Sequence, residues 1–181
     1  MLYEEIFALV FKMSFIRKEK GPFDIIGDIH GCFFELEILL KRIGYTLSKK
    51  EEKFFVTHPD IRQVIFLGDL VDRSPRSAEA LKLVKDMVYS GIAFCVNGNH
   101  DDKLKRKLME RNVKTNQDLE ETLEQLNQET DGFRETVLLF LKELRDDYIF
   151  DDGKLVVSHA GLKEEYFGKS SKRIHAFCLY G

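Results

Sequence analysis

Long apolar runs are missing from this chain. No run approaches the ~18 residues that a membrane-spanning helix requires. The N-terminal stretch "MLYEEIFALVFKM" places two glutamates ahead of six apolar residues, where a secretion signal wants basic residues and a longer apolar segment. Cysteine is scarce: Cys32, Cys95 and Cys178 form an odd set without metal-knuckle spacing. That excludes a disulfide framework and reads as three reduced core residues of a cytosolic protein. Charge of one sign is also lacking. A net charge of −3 exerts no general pull toward nucleic acid or an anionic membrane, although it leaves room for a local basic patch. There is no internal repeat, no low-complexity tract and no G-x-x-x-x-G-K-[ST] loop, so the chain carries no P-loop kinase.

What remains suits a globular domain with a sizeable core. Of 181 residues, 44% are apolar and 33% charged, proportions typical of such domains. Residues 3 to 16 have the pattern of a short amphipathic helix, and "RKEKGP" (17 to 22) reads as a linker. The expected division is an N-terminal helix and linker over 1–21 and one domain over 22–181.

Within that domain four apolar, β-favouring runs each stop at a polar residue of metal-ligand type. "FDIIGD" ends at Asp28, "QVIFLGD" at Asp69, "AFCVNGN" at Asn99, and "KLVVSHAG" carries His159. Helical patterns separate them over 32–44, 77–91, 101–111, 118–126 and 133–147. Alternating strands and helices of these lengths predict right-handed crossovers and a largely parallel sheet. Residues 49–63 read as an extended insertion.

Sites in open α/β sheets form at the carboxyl ends of strands. With strands ~4.8 Å apart, adjacent ends bring Asp28, His30, Asp69, Asn99 and His159 around one centre. This oxygen-rich set with imidazole and no thiolate suits Mn²⁺, Fe or other mid-row divalent ions, Ni²⁺ among them, with Zn²⁺ also compatible. A central Asp69 carboxylate could bridge two ions, and such a pair clamps a phosphoryl group. Arg73 has the planar fork that binds phosphate oxygens. His100 directly follows a candidate ligand and is placed to donate a proton, with Asp72 behind it.

The blocks "GDIHG" (27–31), "GDLVDRS" (68–74), "GNHDDK" (98–103) and "SHAG" (158–161) resemble, in order and spacing, those of the calcineurin-like metallophosphoesterases. Between about Phe23 and Gly181 the chain is similar to two bacterial groups. These are the PrpE-type phosphatases, which hydrolyse diadenosine tetraphosphate and phosphoproteins, and the phosphatase module of polynucleotide kinase-phosphatases. The resemblance implies a four-layer α/β/β/α sandwich. It implies that Asp28, His30 and Asp69 bind one metal ion and Asp69, Asn99 and His159 a second, Mn²⁺ first among candidates. Arg73 would contact phosphate and His100, paired with Asp72, would be the general acid. The reaction would be attack by metal-bound hydroxide without a phosphoenzyme. The partner would be a phosphorylated small molecule, a nucleotide or a nucleic-acid end.

The chain departs from the family pattern in two places. Ser74 stands where glycine usually follows the arginine, and no "GHTP"-like block supplies a further histidine before Gly181. The expectation is therefore a weakened second metal site and a domain lacking its C-terminal strands; the alternative reading is a truncated metal-binding fragment with feeble catalysis. Elsewhere, His58 reads as a surface loop residue, and His175, in an apparent helix or turn, "SSKRIHAF", is not expected to replace the missing ligand. Asp101 and Asp102 read as first-turn carboxylates of a helix. "KLKRK" (103–107) reads as a solvated helix face with Leu104 and Leu108 turned inward, and "TVLLFLKEL" (136–144) as core.

Overall fold

The computed structural model describes residues 17–130 and 132–181; the helix expected over 3–16 lies outside them. Strand β1 (Phe23–Ile26) leads into helix α1 (Phe33–Arg42), which buries Phe33, Leu36 and Leu40, positions three and four apart. Glu35 in its first turn and Lys41 and Arg42 in its last complement the helix dipole. The expected insertion is an antiparallel hairpin of β2 (Thr46–Lys50) and β3 (Lys53–Thr57). After it come β4 (Gln63–Phe66), α2 (Ser77–Tyr89) and β5 (Ala93–Cys95). Strands β1, β4 and β5 are parallel in the order β1-β4-β5, with Ile25 beside Ile65 and Ile65 beside Phe94.

Three helices follow: α3 (Asn99–Leu108), α4 (Gln117–Asn127) and α5 (Phe133–Glu143). A second hairpin, β6 (Asp147–Phe150) and β7 (Leu155–Ser158), precedes α6 (Lys172–Tyr180). Side chains of a strand alternate between faces, and that alternation sets the layers. Val64, Phe66 and Cys95 face the helices, among Leu81, Leu104, Leu119 and Val137. Ile65, Phe94 and Val96 face the other way and meet Phe150 and Val157 of the second hairpin. Helices, parallel sheet and second sheet therefore stack in a mixed α/β sandwich.

Two expectations need correction. The run ending at His159 does not join the parallel sheet: β7 pairs antiparallel with β6, because only a tight turn at Asp151–Gly153 separates them and a crossover helix is absent between them. The helical reading of 133–147 also overran. The helix stops at Glu143, Leu144 turns extended, and "DYIF" forms β6. Aromatic and β-branched residues favour a strand there, and Phe150 is buried against Phe23 and Phe94. A parallel bridge between Val96 and Arg145 joins the end of β5 to the approach of β6.

His58 lies in the loop after β3, as expected, and is half-buried. Its Nδ1 accepts the Asp60 N–H at 3.1 Å, its Nε2 lies 3.2 Å from the Ile43 carbonyl, and its ring packs edge-on against Tyr45. The three cysteines are free, with Cys95 and Cys178 buried. Leu104 is fully buried and Leu108 packs against the core as expected, while Lys105 and Arg106 are half-buried and pair with Asp102. Among the described residues no helix is long and apolar enough to cross a membrane.

Candidate metal centre

Three loops at the carboxyl ends of β1, β4 and β5 are stitched together by their backbones. The N–H groups of Ile29 and His30 both donate to the Asp69 carbonyl, at 3.0 and 2.8 Å, and Gly31 N–H donates to Leu70 O at 2.9 Å. His100 N–H donates to Asp69 Oδ1 at 3.0 Å. Asp69, Asp72 and Arg73 all take positive φ, at 50°, 72° and 67°, a left-handed conformation costly for residues with a Cβ. Something must hold the loop there, and Asp101 does so. Its two carboxylate oxygens accept Leu70 N–H at 2.9 Å and Gly98 N–H at 3.1 Å. Gly98 has no room for a side chain: a Cβ would collide with Asp69 N and Asp69 Oδ1 and come within 2.9 Å of Asp101 Oδ2.

Asp101 was legible in the sequence only as a first-turn carboxylate, because α3 starts at Asn99, two residues earlier than its pattern suggests. It is completely buried, and burial pushes its carboxyl up to about 7, helped by the neighbouring charge of Asp69 and opposed by the backbone N–H groups it accepts.

The five candidate ligands converge on Asp69. His30 Nε2 lies 3.6 Å from both Asp28 Oδ2 and Asp69 Oδ2. His159 Nε2 lies 3.6 Å from the same Asp69 oxygen and 3.0 Å from Asn99 Oδ1, and its Nδ1 is 4.0 Å from Asp28 Oδ1. The tautomers follow from the far side of each ring. His30 Nδ1 faces the Val71 carbonyl at 2.9 Å and His159 Nδ1 the Leu67 carbonyl at 2.7 Å, so each Nδ1 carries the proton. Both Nε2 atoms therefore aim lone pairs at oxygens that also only accept. His30 Nε2 is buried without a hydrogen-bond partner. Acceptors gathered around one small space suit a cation, and the donor atoms of Asp28, Asp69 and His159, like those of His30, Asp69 and His100, lie within 4.8 Å of one another. Carbonyl partners on the outer nitrogens are the usual support of metal-ligating histidines.

The proton-handling residues sit at the rim. His100 Nδ1 is 2.7 Å from Asp72 Oδ2, and this hydrogen bond, outweighing partial burial, raises the imidazole's pKa. His100 Nε2 lies 3.4 Å from Arg73 Nη2, and its ring stands edge-on to His30 at 4.9 Å between centroids. Behind Asp72, Thr122 of α4 and Ser77 of α2 complete a buried polar cluster that the sequence reading did not pick out. Thr122 had as its signal a hydroxyl in an otherwise apolar helical row, and Ser77 only its place at the start of a helix. His175 does not replace a ligand: its Nδ1 is 2.8 Å from Asp146 Oδ1 and its Nε2 is 3.6 Å from Asp102 Oδ1, on the far face of α3.

The family model for calcineurin-like phosphoesterases matches residues 21–179. The chain belongs to that family. The chain is 42% identical over 163 residues to bis(5'-nucleosyl)-tetraphosphatase PrpE [asymmetrical] of Anoxybacillus flavithermus, covering 88% of this chain and 65% of that protein. It is 40% identical to the protein of the same name from Halalkalibacterium halodurans, with the same coverage. The chain thus spans 65% of the length of these curated relatives. A crystal structure provisionally assigned as a diadenosine tetraphosphatase aligns with a TM-score of 0.54 and 27% identity, over 81% of this chain and 54% of its own. A protein serine/threonine phosphatase of Saccharomyces cerevisiae shares the fold, with a TM-score of 0.61 at 18% identity, over 95% of this chain and 54% of its own. Calcineurin-like phosphoesterases use a dinuclear divalent-metal centre, and the candidate ligands described above are of the corresponding kind.

Proposed function

We propose that this phosphoesterase hydrolyses nucleotide phosphoanhydrides, with diadenosine tetraphosphate as the preferred substrate type. The observation that carries the reading is the pair of Nε2 lone pairs, from His30 and His159, directed at one Asp69 oxygen. The names of the relatives support the substrate class.

Asp28, His30 and Asp69 would hold one divalent ion, and Asp69, Asn99 and His159 a second. Mn²⁺ is the first candidate, with Ni²⁺, Fe and Zn²⁺ compatible with the same oxygen and imidazole donors. Ions held there would supply charge neutralisation for the phosphoryl group and would lower the pKa of a water molecule toward neutrality.

The chain's own groups do the rest. Arg73, exposed at the rim, presents a fork to the non-bridging phosphate oxygens. The N-terminus of α3, at Asn99, adds the positive end of a helix dipole facing the same space. His100, its Nδ1–H held by Asp72, directs Nε2 toward the leaving oxygen and protonates it as the P–O bond breaks. The free cysteines fit a reducing, cytosolic setting.

The test is hydrolysis of diadenosine tetraphosphate and of an aryl phosphate with added Mn²⁺ or Ni²⁺. The chain is compared with its Asp69→Ala variant. Activity confined to the parent chain supports the reading, and equal rates in the two remove it.

A further inference from the structure

Helix α4 presents a row of inward residues, Leu119, Thr122 and Leu126, each at most 1% exposed. One polar side chain in such a row requires a partner, because a buried hydroxyl without a hydrogen bond is costly. Thr122 Oγ1 finds it in Asp72 Oδ1, at 2.8 Å. The other oxygen of that carboxylate, Oδ2, is the one 2.7 Å from His100 Nδ1. Ser77 Oγ, fully buried, accepts the Asp72 backbone N–H at 3.1 Å and touches Thr122 Oγ1 at 3.3 Å. A threonine has one proton to give, and the carboxylate is both the nearer and the stronger acceptor. Gln125 Oε1 accepts Ala78 N–H at 3.4 Å and ties α4 to the first turn of α2.

We infer that Thr122 is a positioning residue for proton transfer: its hydroxyl locks the Asp72 carboxylate so that Oδ2 stays on His100. The inference rests on the phosphoesterase reading above. Asp72 is 1% exposed, so no solvent can replace the donor on Oδ1. Without it the carboxylate is free to rotate about its Cβ–Cγ bond, and His100 loses its fixed orientation. In the step served, a water oxygen bonds to phosphorus while the P–O bond to the leaving group breaks with its electron pair on the leaving oxygen. The Nε2 proton of His100 passes to that oxygen, while Nδ1–H remains on Asp72. Helix α4 thereby becomes part of the proton-transfer machinery although it contributes no group that touches substrate.

The readout is leaving-group dependence, which a merely structural role would not move. The Mn²⁺-loaded chain is assayed with p-nitrophenyl phosphate, whose leaving group needs little protonation, and with phenyl phosphate, whose leaving group needs it. Thr122→Val is expected to lose roughly tenfold in kcat on phenyl phosphate and almost nothing on p-nitrophenyl phosphate; Thr122→Ser should behave as the parent. Thr122→Ala against Thr122→Ser isolates the hydroxyl alone and serves if the valine variant does not fold. In the metal-free chain, proton NMR should show a downfield His100 Nδ1–H signal that survives in Thr122→Ser and broadens in Thr122→Val or Thr122→Ala. Equal losses on both esters, or no loss on either with an unchanged NMR signal, overturn the inference while leaving the phosphoesterase reading intact. A parent chain inactive toward both esters and toward diadenosine tetraphosphate overturns the two together.

Discussion

His30 and His159 approach one another through a single atom: the Nε2 of each lies 3.6 Å from Asp69 Oδ2. They come from loops after different strands, β1 and β7, and from different sheets. Asp69 is thus the hinge of the candidate centre, touched by both halves of the ligand set.

Metal binding should follow that geometry. Calorimetric titration with Mn²⁺ is expected to show one tight event in the parent chain and none in Asp69→Ala, whereas His159→Ala keeps one event. Saturating Mn²⁺ at about a hundred times its Kd should raise parent stability by roughly 2.7 kcal/mol. A parent thermal midpoint indifferent to Mn²⁺ contradicts the centre.

Gly98→Ala should damage the site through the backbone. The added methyl collides with the Asp69 amide and carboxylate, and neither is the loose end of a flexible chain. We expect a loss of about 2–4 kcal/mol in urea unfolding together with loss of Mn²⁺ affinity. Gly27→Ala makes a control, since a Cβ there meets nothing within 4 Å.

Arg73→Lys should raise KM with little change in kcat. The lysine keeps the charge but loses the planar fork, so an interaction common to ground and transition state is weakened. Roughly tenfold in KM is the expected size, about 1.4 kcal/mol. A fall in kcat at constant KM would instead mean that Arg73 acts only in the transition state.

His175 makes stability depend on pH. Asp102 and Asp146 hold its imidazolium and raise its pKa from 6.5 to about 9. The fold binds the protonated form, so this contribution is full below about pH 6.5 and disappears as pH rises through 9. The side chain is 37% exposed, which screens the pair and keeps the effect modest. Thermal midpoints of the parent and His175→Gln should differ most near pH 6 and coincide above pH 10. A difference constant from pH 6 to pH 10 excludes the ion pair as its source.

Asp147 should also make the fold less stable as pH rises, but as a cost of burying a carboxylate rather than the loss of an ion pair. Its carboxyl is 3% exposed, Oδ2 has no hydrogen-bond partner, and burial raises its pKa to about 6. The fold favours the protonated form, so ionisation as pH climbs from about 4 through 6 weakens it. Asp147→Asn should therefore melt higher than the parent at pH 8, by an equivalent of at most about 3 kcal/mol. The gain should vanish below pH 4.

The sequence by itself determined the candidate donors and placed most of them at strand ends. Apolar runs ending in Asp28, Asp69 and Asn99 announce strand ends, because a buried strand needs continuous apolar residues and a turn needs glycine and polar side chains. Asp72 and His100 were likewise legible as a pair from their neighbours. Only the tertiary structure decided which carboxylate oxygen each imidazole meets, that β7 runs antiparallel in a second sheet, and that Asp101 and Thr122 stand behind the site. Those facts depend on contacts between residues such as Thr122 and Asp72, far apart in the chain. Periodicity reports which face of a helix turns inward, but not what it meets there.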